Sequence, residues 1–422
     1  MYIATTIFIV IFSSILIIQG VFHLYLLLYN WISVRSVVKF RSPRIYERPK
    51  LSFTAIIPAR HEEEVIGETM RAVSQINYPL ELTEVLVVLR QDDTGTIEKA
   101  KITLDTMSRK NTRIITFDGF PINKPHGLNI ALNEAQNDVI VIFDAEDEPH
   151  QDIYNIVNTT MIRDRADVVQ CGIQLMNFHS NWYSLFNVLE YYFWFKSCLQ
   201  FFSEKGVIPL GGNTVFFRKE IIQRYGGWDQ DCLTEDADIG LKLSQHGANI
   251  RVVYDELHAT QEETPPTLQG FIKQRTRWNQ GFIQIIFKGE WFQFKKLQHK
   301  ILSFYVLSWP IIQAILIVSV PICIAIALFA KLPVVVAIYS TIPLYIFLTQ
   351  LLIIMLGLHE FGRDYNKKIK LRYYILILVY FFPYQWVLGY ASLRAIWRFF
   401  SGNMSWEKTA HINAHRLTAP TH

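Results

Sequence analysis

Charge is scarce in this chain, and cysteine is scarcer. Asp, Glu, Lys and Arg make up 18% of the 422 residues, and none of them falls between residues 2 and 29. The four cysteines, Cys171, Cys198, Cys232 and Cys323, have no CxxC spacing, so neither a structural zinc site nor a disulfide framework is expected. There is no HExxH pair, no EF-hand loop and no Walker A sequence, which sets aside zincin, calcium-loop and P-loop chemistry. The net charge of +4 comes from cations that flank apolar runs. A nucleic-acid binder would carry a basic face instead, so nucleic acid is excluded as a partner.

Apolar sequence is abundant, at 50% of the chain. The stretch YIATTIFIVIFSSILIIQGVFHLYLLLY exceeds the ~20 apolar residues a helix needs to cross a bilayer. It has no basic n-region and no small-residue cleavage site, so residues 1–31 are expected to be a retained transmembrane anchor. Arg35, Lys39, Arg41, Arg44, Arg48 and Lys50 follow in a basic linker, 32–50, and the positive-inside rule places that side in the cytoplasm. Apolar runs at 301–330 and 333–358, with Arg363, Lys367, Lys368, Lys370 and Arg372 after the second, predict a hairpin that returns to the cytoplasm. The run 373–393 leaves two readings open. A crossing would export Arg394, Arg398, Lys408 and Arg416, whereas a break at Pro383 would make a re-entrant pair. The expected organisation is a cytosolic domain over 51–290, an interfacial segment 291–300, a transmembrane region 301–398 and a tail 399–422. Together these describe a multi-pass protein of the plasma membrane, with the lipid bilayer as a partner.

Residues 50–300 read as short apolar runs alternating with amphipathic stretches, the pattern of βαβ units in an α/β domain with a largely parallel sheet. Strands are predicted at 51–57, 84–89, 113–117, 139–143 and 167–172, with helices at 63–75, 95–108, 125–136 and 151–163 between them. The strands are continuous apolar runs, so helices should cover both sheet faces. Ligands of such sheets bind beyond the carboxyl ends of the strands. Those ends read PARHEE, RQDD and DAED. One acidic strand end is most simply a helix cap or a loop residue. Three at one edge bring like charges together at a cost that a cation or ligand donors must offset.

In FDAEDEP, Asp144 and Glu146 follow a strand and Asp147 is adjacent. Mg²⁺ is held by one or two protein carboxylates plus water and phosphate oxygens, so this cluster suits a metal–diphosphate site with Mg²⁺ or Mn²⁺. In LTEDADIGLKL, Thr234 can cap a helix whose first turn holds Glu235, Asp236 and Asp238. Capping explains one acid of the three, and a carboxylate there can serve as general base towards a hydroxyl. In KQRTRWNQG, Lys273 and Arg275 suit a membrane-surface anchor, which does not explain the spacing of Gln274, Arg277 and Trp278.

PARHEE, Asp92-Asp93, FDAEDEP, GGNTVFFR, GGWDQDCLTEDADIGLKL and QRTRW stand in the order and spacing of membrane-embedded family 2 glycosyltransferases. The chain resembles the cellulose synthase superfamily over residues 50–290, and again at the tail WEKTAH. The resemblance implies a GT-A fold flanked by transmembrane helices. It also implies inverting transfer of a sugar from a nucleotide-diphosphate donor, of UDP type, to a polysaccharide or lipid acceptor. By position, Pro58, Arg60, Glu62, Asp92 and Asp93 would serve the nucleoside. Asp144 and Glu146 would hold metal and diphosphate, with Asp147 as alternative ligand because Glu146 stands where the family has Asp. Asp236, beside Glu235, would be the catalytic base. Gln274, Arg277 and Trp278 would contact diphosphate and acceptor, and Gly212 and Asn213 would border the acceptor. The family places Lys or Arg where His126 stands, so phosphate contact falls to Lys124 or His126.

The segment 182–202 holds ten aromatics, which predicts core or an interfacial helix and alternatively an acceptor groove. A catalytically silent scaffold or export component with the same fold remains the rival reading. A transporter is disfavoured by apolar spans that carry almost no charge.

Overall fold

The computed structural model describes residues 2–33, 38–108, 111–329, 332–409 and 411–416. Arg35 of the basic linker, Ala330 of the 301–330 run and Ala410 of the tail motif lie outside the described residues. The chain begins with helix α1 (Tyr2–Ile32) and then enters a sheet domain. The strands are β1 (Phe53–Ala59), β2 (Thr83–Arg90), β3 (Thr112–Phe117), β4 (Val139–Ile142), β5 (Val168–Cys171), β6 (Ile173–Leu175), β7 (Val215–Arg218), β8 (Ile250–Val253) and β9 (Thr260–Glu262). Helices α2 (Ile66–Ser74), α3 (Thr94–Thr106), α4 (Lys124–Glu134) and α5 (Ile153–Asp164) connect the first five strands, as the apolar alternation predicts.

The main sheet has the order β3-β2-β1-β4-β7-β5-β8. Ile56 stands between Leu86 and Ile142 in parallel register, whereas β7 runs antiparallel to both neighbours, with Phe216 opposite Val141 and Val169. The sheet is therefore mixed, and β7 follows directly on the GGNT turn. Both faces are covered. Phe53, Ala55 and Ile57 pack with Met70 of α2 and Tyr154 of α5, while Ile56, Ile140 and Ile142 pack with Leu128 of α4. β6 and β9 pair in a separate small parallel sheet.

The aromatic segment forms α6 (Trp182–Phe193), a π-turn (Trp194–Cys198) and α7 (Leu199–Lys205). Most of it is core, as in Phe186 stacked on Tyr384 at 4.7 Å. Lys196 in the π-turn is buried among Glu256 (3.1 Å), Glu360 (3.2 Å) and Asp364. After α8 (Lys219–Arg224), α9 (Glu235–Gln245) packs Ile239 and Leu243 under the sheet, and α10 (Leu268–Lys288) crosses towards the apolar region.

The 301–330 run divides at Ser308 into α11 (Leu297–Leu307) and α12 (Trp309–Phe329). Leu302, Val306 and Leu307 belong to a core with Phe202 and Leu241, so this part is anchored on the sheet domain. Helix α13 (Val334–Asp364) follows, and α14 (Leu371–Phe400) runs unbroken through Pro383. The re-entrant pair does not form. Among the described residues, four helices, α1, α12, α13 and α14, are long and apolar enough to cross a membrane. Both ends of α14 nevertheless meet the sheet domain: Tyr373 packs on Phe178 at 5.2 Å, and Arg398 Nε donates to Gln280 Oε1 at 3.0 Å. Helix α14 lies beside α10, with Asn279 donating to Ser392 at 2.9 Å. The cationic tail therefore stays on the sheet domain.

Candidate active site

The carboxyl ends of β1 and β4, the turn before β7, the first turn of α9 and one face of α10 converge on a single cavity of about 1530 Å³. Pro58, Arg60, Glu62, Lys124, Asp144, Glu146, Gly212, Asn213, Glu235, Asp236, Gln274, Arg277 and Trp278 all line it. Asp92, Asp93, His126 and Asp147 stand behind that wall.

Each of the four has an evident structural engagement. Asp92 is half exposed and accepts from Arg90 Nε at 2.9 Å. Asp93 caps α3 by accepting from Thr96 N at 3.3 Å, and it accepts from His61 N at 2.6 Å, which fixes the loop carrying Arg60 and Glu62. The His126 ring stacks on Phe117 at 5.4 Å, so of the two candidate phosphate contacts only Lys124 faces the cavity. Asp147 is fully buried and accepts from Asp144 N at 2.8 Å and Asn213 Nδ2 at 2.7 Å. It braces the acidic turn from behind and holds the Asn213 amide nitrogen.

Lys124 Nζ donates to Asp144 Oδ1 and, at 2.9 Å, to the Gly212 carbonyl. Burial works against its charge, but Asp144, Glu235 and Asp236 outweigh this and hold its pKa above the ordinary value. A Cβ on Gly212 would come within 3.2 Å of Asp236 Oδ2, so glycine lets the backbone approach the carboxylate closely. Asp236 Oδ1 accepts from Ala237 N at 2.8 Å. Thr234 makes no side-chain cap, contrary to expectation. It packs instead where a Cβ on Gly281 of α10 would sit, 2.3 Å from its Oγ1, and so locks α9 onto α10.

Burial pushes the Glu235 pKa up to about 7, helped by the charge of Asp236, and burial also raises that of Asp236. Glu146 is pushed well up by burial and by the charges of Asp144 and Glu262. Such uncompensated buried carboxylates are what a bound cation would relieve. Among the described residues no cluster of three or more ligand side chains stands ready for a metal. That donor set fits a hard cation completed by phosphate oxygens and water.

On α10, Gln274 Oε1 and Arg277 Nε are buried and make no hydrogen bond to protein, and the same holds for Arg60 Nε across the cavity. All three side chains line the cavity. Arg275, expected at the membrane surface, is paired instead with Glu190 and Asn187 of α6 and stacks 4.9 Å over Trp278.

The sequence reading leaves out a roof over this cavity. Trp406 lies under Arg277, Lys408 Nζ is 3.2 Å from Glu62, and His411 Nε2 is 3.2 Å from Glu146 Oε1. Glu263 fixes this tail by accepting from the backbone of Ile412 at 2.5 Å, Asn413 at 3.1 Å and Ala414. The available signal was the WEKTAH motif. Nothing local in QEET marked Glu262 and Glu263.

Comparison with known proteins identifies relatives of the fold and of the sequence. The fold is similar to that of the mannosyltransferase PcManGT from Pyrobaculum calidifontis, solved in complex with GDP-Man and Mn2+, at a TM-score of 0.53 and 18% identity, covering 92% of this chain and 98% of that one. In sequence it is similar to the probable glycosyltransferase YdaM of Bacillus subtilis, 26% identical over 90% of this chain and 91% of that protein. It is also similar to the beta-monoglucosyldiacylglycerol synthase of Trichormus variabilis, 26% identical over 58% of this chain but only 53% of that protein. The poly-beta-1,6-N-acetyl-D-glucosamine synthase of Staphylococcus epidermidis is 22% identical over 64% of this chain and 63% of that protein. Residues 49–281 match the model of the glycosyltransferase like family 2, more than half of the chain, and the chain belongs to that family of glycosyltransferases.

Proposed function

We propose that this glycosyltransferase transfers a sugar, with inversion, from a nucleoside diphosphate donor to a hydroxyl of a polysaccharide or lipid acceptor at the membrane, on the cytoplasmic face of the plasma membrane. The observation that carries this is the pairing across one cavity of a half-buried carboxylate, Asp236, with a cationic and acidic cluster made by Lys124, Asp144, Glu146 and Arg277.

The acceptor hydroxyl gives its proton to Asp236 as its oxygen bonds to the anomeric carbon, and the bond from that carbon to the diphosphate oxygen breaks. Arg277 and Lys124 offset the charge that develops on the departing diphosphate, Arg277 through a planar fork that matches phosphate oxygens. Asp144 and Glu146 are the residues that would hold a divalent cation, whose chemistry here is further neutralisation of that leaving group. Pro58, Arg60 and Glu62 form the wall nearest the nucleoside, and Trp278 offers a ring to the acceptor.

The reading is tested by incubating the purified protein in detergent with Mn²⁺ and a panel of radiolabelled UDP- and GDP-sugars. Transfer or hydrolysis of one donor is expected, and Asp236→Asn should abolish transfer while leaving the folded protein intact. Full activity of that variant would remove Asp236 from the base role. Nucleotide binding without turnover across the panel would select the binding-only scaffold.

A further inference from the structure

The cavity does not end at the catalytic chamber. It continues between the apolar helices as far as Ile9 of α1, Ile324 of α12 and Ser340 of α13. From Leu27 to Ile9 along α1 the wall runs for about 27 Å at the helical rise of ~1.5 Å per residue. That is most of the ~30 Å hydrocarbon depth of a bilayer. At 1530 Å³ the whole space exceeds the ~300–1,000 Å³ that encloses an ordinary small ligand, so a donor alone leaves much of it unaccounted for.

The helices are arranged to keep this slot open. Helix α1 packs along α13 and α12 along α14. The two pairs meet near the catalytic domain, where His23 stacks on Trp309 at 5.2 Å and Phe347 meets Phe381 at 4.7 Å. The part of the wall contributed by these four helices carries no Lys, Arg, Asp or Glu among the described residues. Several of its polar side chains are already satisfied by the helices. Gln350 donates to the Gly20 carbonyl at 3.2 Å, Gln313 accepts from Ser392 at 3.0 Å, and Ser340 and Thr341 bond their own helix at 2.8 and 2.7 Å. A hydroxyl-rich polymer drawn through such a wall would leave buried hydroxyls without partners, at a cost for each. A hydrocarbon chain loses nothing there and gains the burial of its apolar surface. Among the described residues, the cation at the slot's mouth is Arg275, which Glu190 already neutralises, while Lys124 and Arg277 face the diphosphate side, so a phosphorylated lipid head would gain little there.

We propose that the acceptor is an uncharged, hydroxyl-bearing membrane lipid, seated with its hydrocarbon in the slot between the α1/α13 and α12/α14 pairs and its hydroxyl at Asp236. This rests on the proposed glycosyltransferase reading and narrows its acceptor to one class.

The test uses full-length protein in phosphatidylcholine nanodiscs with the active donor from the panel. The acceptors offered are dioleoylglycerol, dihexanoylglycerol, undecaprenyl phosphate or a soluble oligosaccharide. The expected product is a single organic-extractable band on dioleoylglycerol, with kcat/KM at least tenfold above that for dihexanoylglycerol. Filling the slot with Leu16→Trp or, independently, Leu316→Trp should erase this chain-length preference while donor hydrolysis without acceptor stays at the wild-type rate, which also reports that each variant is folded. An aqueous polymer, exclusive use of undecaprenyl phosphate, or an unchanged chain-length preference in both variants would overturn the lipid assignment. Absence of donor turnover in the wild-type protein would instead overturn the glycosyltransferase reading beneath it.

Discussion

The guanidinium of Arg277 lies 4.1 Å from the centre of the Trp406 ring, so a side chain on α10 and one in the tail share a single contact at the heart of the cavity. The ring holds the cation in place while its Nε remains unbonded to protein. A desolvated cation–π contact contributes on the order of 1–2 kcal/mol, and about 1.4 kcal/mol is tenfold in rate. Trp406→Ala is therefore expected to lower kcat/KM for the donor by about tenfold, and Trp406→Phe to restore most of it. Steady-state kinetics with the active nucleotide sugar decides the matter, and an unaltered Trp406→Ala enzyme would deny the ring any part in positioning Arg277.

The Glu235–Asp236 pair should set the acidic limb of the pH profile. Both carboxyls titrate above their ordinary range because they are buried, and Glu235, at about 7, also because Asp236 is charged beside it. A general base works only when ionised, so activity should rise as pH increases through the apparent pKa of the pair. Removing one negative charge makes ionisation of the other easier. Glu235→Gln should thus move the acidic limb of kcat/KM to lower pH, and a limb that stays in place or moves upward would separate Glu235 from the base.

Asp144 and Glu146 should report on the divalent cation separately from catalysis. Glu146→Gln removes a carboxylate that burial and two neighbouring acids already disfavour in its charged form. It should weaken Mn²⁺ binding, measured by isothermal titration in the presence of nucleoside diphosphate, while Asp147→Asn acts mainly on stability because its carboxylate braces the turn from behind. Equal loss of Mn²⁺ affinity in both variants would return Asp147 to the ligand set.

Much of the fold was readable because its signals are local. β1 to β5 are apolar runs bounded by polar turns, and α3 and α4 start at side-chain caps, Asp93 and Asn123. The three-residue strands β6 and β9 are too short to show a period. The route of α14 was hidden for a different reason: its apolar composition fits a crossing, while its actual path is set by contacts with α10, as between Asn279 and Ser392. In the site, Asp236 and Arg277 stand in recognisable motifs. The roof depends on Glu263 gathering backbone N–H groups some 150 positions away in sequence, and no pattern in the chain encodes that meeting.

Lys196 offers the sharpest test of how the membrane helices are joined to the catalytic domain. Its ammonium sits among Glu256, Glu360 and Asp364 with its side chain only 10% exposed, and Trp31 of α1 donates to the same Glu360 at 2.9 Å. Sheet domain, α1 and α13 are thus tied through one cation. Replacing Lys196 with Met keeps the apolar stem but takes the counterion from Glu256 and leaves Glu360 and Asp364 with only the exposed Arg363, and breaking a buried pair in this way costs about 3–5 kcal/mol. The expected result is a fall of several degrees in the unfolding midpoint in detergent, followed by tryptophan fluorescence, with Lys196→Arg recovering most of the loss. Adding Glu256→Gln to Lys196→Met should recover part of the stability, because it removes the charge left without a partner. An additive or larger loss in the double variant would show that the cluster is not held together by this ion pairing.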